Sequence, residues 1–197
     1  MATRIILASQ SPRRKQLLEW AEVPFDVIIK STDEVYPEHL LPEEVPVHIA
    51  MQKALAVKEY VHSAFHESHK HQPILAADTI VVSGDSIIGK PKDRKDAIRI
   101  LKELSGKKHR VITGVVLLNG IEEFYFSDVT EVTFHKLTEE QIVFYIDKYK
   151  PYDKAGAYAI QEWIGVIGIK SIKGDFYNVM GLPISRVVRL LGELMIY

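Results

Sequence analysis

Residues 111–126 read VITGVVLLNGIEEFYF, and the fold turns on the pair Asn119-Gly120 inside that stretch. Val111 to Leu118 is apolar and rich in β-branched side chains, which reads as a strand, and Ile121 to Phe126 resumes the pattern directly after the pair. Asn-Gly tolerates the positive φ angles that a two-residue hairpin demands. The two runs are therefore expected to pair as a hairpin, with Val129 to His135 continuing the sheet. Gly84-Asp85 gives the same signal between Ile74 to Val82 and Ser86 to Ile88. Hairpins this frequent, in a chain whose strands also alternate with helices, point to a mixed sheet instead of a purely parallel one.

Arg4 to Ala8 (RIILA) and Phe25 to Ile29 (FDVII) read as short strands. Between them Ser11 can cap a helix that Pro12 starts, with Leu17, Leu18 and Ala21 at helical spacing. A longer helix is expected from about Pro42 to His62, carrying Val47, Ala50, Met51, Ala54, Leu55 and Lys58 at compatible intervals. Asp93 caps a helix to about Leu104 whose apolar stripe is Ala97, Ile98, Leu101 and Leu104, and Ser105-Gly106 stops it. Thr138 opens another, through about Tyr149. Ala157 to Gln161 and Val166 to Ile172 read as strands, and a last helix begins at Pro183-Ile184-Ser185 and buries Val187, Val188, Leu191 and Leu194. No linker divides the chain, so residues 1–197 are expected to form one domain.

Composition narrows the classes of function. Hydrophobic residues make up 47% of the 197 and charged residues 26%, the balance of a globular protein. With 25 basic against 26 acidic residues the net charge is -1, so no global field draws the chain to a nucleic-acid backbone and any basic site must be local. The absence of cysteine excludes disulfides, thiolate metal sites and a cysteine nucleophile. Met1 to Leu7 is too short for a signal h-region and no run approaches the roughly 18 apolar residues of a spanning helix, so a cytoplasmic location without membrane partners is the expectation.

Several clusters could carry chemistry. Ser9-Gln10-Ser11-Pro12-Arg13-Arg14 falls where a strand gives way to a helix, so free backbone N–H groups, hydroxyls and guanidinium forks could cradle a polyphosphate; a plain helix cap with two solvated arginines is the other reading. The known phosphate loops do not apply, since Leu101 and Lys108 occupy positions where a P-loop around Gly106 needs glycine and Ser or Thr, and Gly165 and Gly168 lack the dinucleotide spacing. In Ala76-Ala77-Asp78-Thr79 a carboxylate interrupts an apolar strand, which calls for a salt bridge, an exit to solvent, or a catalytic or metal-binding role. Lys53, inside the long helix, and Lys90, in Gly89-Lys90-Pro91, are cations that could face it, although most lysines are simply solvated. Asp33-Glu34 offers hard oxygen donors of the type magnesium and manganese prefer, or an acidic turn. His62, His66, His69 and His71 fall short of a zinc pattern and receive no role.

In order along the chain, these segments resemble the Maf family of nucleotide pyrophosphatases. The resemblance runs through LASQSPRR at 7–14, Asp33-Glu34, Lys53-Ala54, AADT at 76–79, Gly89-Lys90-Pro91, Leu104-Ser105-Gly106, HRVITGV at 109–115, Tyr158-Ala159-Ile160-Gln161 and NVMGLP at 178–183. It implies an α/β fold with a mixed, strongly twisted central sheet flanked by helices, in two intimately packed lobes around a cleft, similar to the inosine triphosphate pyrophosphatases. It further implies a homodimer and metal-dependent hydrolysis of nucleoside triphosphates to the monophosphate and pyrophosphate. By motif, Asp78 is the catalytic acid-base or metal-anchoring residue, Ser9, Arg14, Lys53 and Lys90 hold the triphosphate, and Glu34 helps to bind magnesium or manganese. Arg13, Thr79 and Gln161 match the subgroup acting on dTTP and UTP; an amide at Gln161 suits a base presenting O4, N3–H and O2. Pyrophosphatases of modified nucleotides such as 7-methyl-GTP, and a non-catalytic division regulator binding nucleotide or nucleic acid, are the rival readings.

Overall fold

The computed structural model describes residues 4–64 and 67–196. In chain order the elements are β1 (Ile5–Leu7), α1 (Pro12–Trp20), β2 (Phe25–Val27), α2 (Val45–Ala64), α3 (Glu67–Lys70), β3 (Ile74–Ser83), β4 (Ser86–Ile88), α4 (Arg94–Leu104), β5 (Lys108–Asn119), β6 (Glu122–Phe134), α5 (Glu139–Tyr149), α6 (Trp163–Gly168), β7 (Ile169–Lys173), α7 (Phe176–Met180) and α8 (Ile184–Glu193). Strand order is β2-β1-β3-β5-β6-β7, with β4 paired to β3. Strand β1 runs parallel to β2 and β3, whereas β3 with β4 and β6 with β7 are antiparallel, so the sheet is mixed as the hairpin signals require. The chain divides into two compact units: residues 1–78, 113–128 and 181–197 form the first, and 79–112 and 129–180 the second.

The first unit is organised around α2. Its buried face, Ala50, Ala54, Val57 and Val61, packs with Ile6 and Ala8, Ile28, Ile74 and Ala76, and Val116 and Leu118. Leu55, which helical spacing assigns to that face, is instead 45% exposed, because the small residues Ala50 and Ala54 set the seam and turn Leu55 outward. The close approach of β5 to the first turn of α2 explains Gly114: a Cβ there would lie 2.2 Å from the Val47 nitrogen and 2.3 Å from the Pro46 carbonyl carbon. Backbone on both sides leaves no room to relax. Gly114→Ala is therefore expected to destabilise the protein by about 3 kcal/mol, read as a lowered urea midpoint at unchanged slope.

In the second unit α4 and α5 pack together, tied at their surface by Arg94 to Asp147 at 2.6 Å and Lys102 to Glu139 at 3.0 Å. Asp93 caps α4 by accepting from the Asp96 N–H, and Thr138 with Gln141 forms a reciprocal capping box at α5. The buried stripe of α4 is Ala97, Ile100, Leu101 and Leu104, so Ile100 takes the place expected for Ile98, which is half-buried. In the first unit, Ile184, Val187 and Leu191 of α8 are buried, while Val188 and Leu194, which follows the helix, are only partly so.

One strand expectation fails and another, Val166 to Ile172, holds only in its second half. Ala157 to Gln161 is not a strand: a 3-10 turn at Ala155–Ala157 leads into an irregular segment and a tight turn, with Gly156 at φ +71° and Ala157 at φ +57°. Backbone in the left-handed region cannot stay in an extended ladder. The apolar run that follows forms α6 first, and only Ile169–Lys173 pairs as β7, against β6. Short apolar runs of this kind carry no periodicity that separates strand from helix.

His109, on β5, is 2% exposed; its Nε2 lies 2.8 Å from the Tyr158 hydroxyl, and Phe134 and Tyr158 meet its ring edge-on. Burial lowers its pKa from 6.5 to about 4 and pushes the Tyr158 hydroxyl up. Between those values the unfolded chain binds the proton and the folded chain does not. This contribution to stability is thus complete above about pH 6.5 and is lost as pH falls toward 4, on the order of 3 kcal/mol. Urea titrations at pH 7 and 4.5 should show a smaller acid-induced loss in His109→Gln than in the wild type.

Candidate active site

In the first unit, β1 ends in a loop that delivers Ser9 to the start of α1. Ser11 caps that helix, its Oγ accepting from the Arg14 N–H, and Pro12 occupies the first turn where a missing N–H costs nothing. Ser9 Oγ accepts from the Ser11 N–H at 3.3 Å and from Arg14 Nη1 at 3.0 Å. Arg14 also donates through Nε to the Gly181 carbonyl at 2.7 Å, a bond across 167 residues that is wholly buried. With 8% exposure the guanidinium is pinned by two protein acceptors, so its plane is set before any ligand arrives. Burial lowers its pKa from 12.5 to about 10, against the opposing field of Asp78, and it stays cationic at neutral pH.

The carboxylate of Asp78 lies where β3 ceases to be fully buried: Ile74 to Ala77 are buried, and Asp78 and Thr79 are the half-buried pair before burial resumes at Ile80. Lys53, from the middle of α2, reaches Asp78 Oδ1 at 2.7 Å and Glu34 Oε1 at 2.8 Å. The side chains of Lys53 and Asp78 are 17% and 14% exposed, that of Glu34 45%. One ammonium thus draws two carboxylates from separate segments to one point. The salt bridge foreseen as a purely structural explanation of Asp78 does exist; it is shared with a second acid and lies in the field that Arg14 feels from both Asp78 and Glu34. Glu34 belongs to a segment without regular structure, and Gln52, the neighbour of Lys53 on α2, steadies it by donating to the Val35 carbonyl at 3.2 Å.

Six residues singled out from sequence therefore sit in this unit: Ser9, Arg14, Glu34, Lys53 and Asp78 in the arrangement above, and Arg13 half-buried beside Arg14 on α1. Two contributors were not singled out. The Gly181 carbonyl holds the Arg14 side chain and Gln52 holds the backbone next to Glu34, and the NVMGLP segment was the signal available for the first. Thr79, Lys90 and Gln161 belong to the second unit, where Lys90 and Gln161 are exposed and the Gly156 N–H donates to the Gly89 carbonyl at 3.2 Å, joining the segments that carry them. Among the histidines, His62 Nδ1 lies 2.8 Å from the Lys58 carbonyl, and His66 is outside the described residues.

Comparison with known proteins defines the class. The family model described as Maf-like protein matches residues 4–194, and the chain belongs to the Maf family. A protein of Cytophaga hutchinsonii named dTTP/UTP pyrophosphatase is 50% identical over 192 residues, covering 98% of this chain and 84% of that protein. Proteins of the same name from Phocaeicola vulgatus and Bacillus cytotoxicus are each 46% identical, covering 97% and 96% of this chain and 96% and 95% of their own lengths. Among solved structures, the Ham1 protein of Staphylococcus aureus is similar at a TM-score of 0.44 and 12% identity, over 67% of this chain and 72% of that one. Among the described residues no helix is long and apolar enough to cross a membrane.

Proposed function

We propose that this protein hydrolyses dTTP and UTP to the nucleoside monophosphate and pyrophosphate. The observation that carries the reading is the convergence of Asp78, Glu34 and Lys53 in the same unit as the Ser9–Arg14 cradle, in a chain 46–50% identical over nearly its whole length to proteins bearing that name. Arg14 and Ser9 bind phosphate oxygens at the start of α1, where backbone N–H groups add their dipoles. Lys53 neutralises charge that builds on the departing pyrophosphate. Asp78 receives the proton of the attacking water or holds that water in line with the α-phosphorus. From the second unit, Lys90 is assigned to phosphate and Thr79 and Gln161 to the base, where the Gln161 amide accepts from N3–H and donates to a carbonyl. Arg13 completes the residues matched to the pyrimidine subgroup.

A divalent cation fits the donors present. The Asp78 and Glu34 oxygens, each within hydrogen-bond distance of Lys53 Nζ, are hard and anionic, which suits magnesium or manganese. Among the described residues no group of three or more His, Cys, Asp or Glu could enclose an ion, and magnesium typically takes one or two carboxylates and completes its shell with water and substrate phosphates. Asp78 and Glu34 would hold it, and when bound it supplies charge neutralisation on the phosphates and a water of lowered pKa. The test is a turnover panel of dTTP, UTP, CTP, GTP and 7-methyl-GTP with magnesium or manganese and pyrophosphate detection. Preference for dTTP and UTP is expected; equal rates on all bases, or preference for 7-methyl-GTP, would overturn the pyrimidine assignment.

A further inference from the structure

Gln161 is exposed, so the direction its side chain takes is inherited from the backbone beneath it. That backbone is a tight turn in which the Glu162 N–H donates to the Ala159 carbonyl at 3.1 Å. A single hydroxyl grips both ends of the turn. Tyr145 Oη accepts from the Ala159 N–H at 3.1 Å and donates to the Glu162 carboxylate. Tyr145 is itself 0% exposed on α5, its ring stacked on Tyr149 with centroids 5.0 Å apart. A buried phenol needs only one partner to be satisfied; here both its donor and its acceptor capacity go to the same four residues.

Two further features restrain the segment. Lys154, its side chain 10% exposed, places Nζ 3.7 Å from Glu162 Oε1 and 2.8 Å from Asp153 Oδ1, so the carboxylate that accepts from the tyrosine hydroxyl is restrained by a nearly buried cation. Gly165 lies against the peptide that precedes Gln161: a Cβ at that position would come within 1.7 Å of the Ile160 carbonyl oxygen. All of these residues belong to the second unit, and apart from Gln161 none is assigned a part in the hydrolysis described above.

We infer that Tyr145, with Glu162 and Lys154 behind it, is the positioning element that sets Gln161 for base binding. The inference rests on the assignment of Gln161 to the base. The amide can make two hydrogen bonds to uracil or thymine only if it starts from the correct place, so loosening the turn weakens binding without touching the reacting phosphate.

A double-mutant cycle separates this role from a general structural one. Tyr145→Phe keeps the ring and removes the hydroxyl; it is expected to raise KM for UTP about tenfold with kcat within about threefold. In a Gln161→Ala background the same substitution should change KM by less than about twofold. Glu162→Ala should reproduce Tyr145→Phe, whereas Glu162→Gln, which keeps an oxygen for the hydroxyl, should stay close to wild type. If Tyr145→Phe fails to fold, the cycle of Glu162→Ala with Gln161→Ala carries the same test. Should Gln161→Ala raise KM while Tyr145→Phe and Glu162→Ala do not, or do so equally with and without Gln161, the inference is overturned and the base assignment stands. A Gln161→Ala variant with unchanged KM and unchanged base preference would remove both.

Discussion

Asp78→Asn is expected to lower kcat for UTP by about a thousandfold in saturating magnesium or manganese, while KM changes little. Asparagine has the size of aspartate and retains a carbonyl oxygen that can accept from Lys53 Nζ, so the contact now spanning 2.7 Å can persist. Lys53 also keeps Glu34, at 2.8 Å. What the substitution removes is the negative charge, the capacity to take a proton and one of two hard anionic donors. A loss of turnover with a thermal midpoint near that of the wild type therefore reports chemistry and not unfolding. Near-normal turnover in this variant would mean that Asp78 is only the partner of Lys53, which is the reading that its half-buried place in an apolar strand allows on stability grounds alone.

Arg14→Lys should lower kcat/KM for UTP by about a hundredfold or more, although the charge is kept. The guanidinium is held by Gly181 O through Nε and by Ser9 Oγ through Nη1, at 2.7 and 3.0 Å. A lysine ammonium is a single point on a flexible stem and cannot bond both acceptors while presenting a fork to phosphate. Because the site is buried, the Gly181 carbonyl would lose its donor, at a cost of about 1–3 kcal/mol in urea unfolding. Ser9→Ala, which removes one acceptor and leaves the Gly181 bond, should have the smaller effect on both measurements. An Arg14→Lys enzyme as active and as stable as the wild type would show that the fork geometry is not used.

Much of the scaffold was legible because its signals are local. Asn119-Gly120 and Gly84-Asp85 mark the turns between β5 and β6 and between β3 and β4, with φ of +63° at Gly120 and +59° at Gly84. Ser11, Asp93 and Thr138 cap the helices they were expected to cap. Lys53 shows the limit of such signals. On its own helix it is one polar residue among many, and only contacts with Asp78, 25 residues on, and Glu34, 19 residues back, distinguish it from a solvated lysine. The motif resemblance singles it out as a candidate where periodicity cannot.

The segment around Gln161 fails for a related reason. Tyr-Ala-Ile looks like strand by propensity, yet its geometry is dictated by Tyr145 and Gly165 and by the left-handed backbone at Gly156 and Ala157. Propensity scores each residue against an average sheet and contains nothing about a hydroxyl arriving from another helix. Leu55 and Ile98 are the milder form of this error, since a neighbour's surface decides which side of a helix is covered.

The most direct test of the account is hydrolysis of UTP in oxygen-18 water with metal supplied and the products separated. Attack at the α-phosphorus predicts UMP carrying the label and unlabelled pyrophosphate. Label in pyrophosphate, release of UDP with orthophosphate, or intact UTP would contradict it.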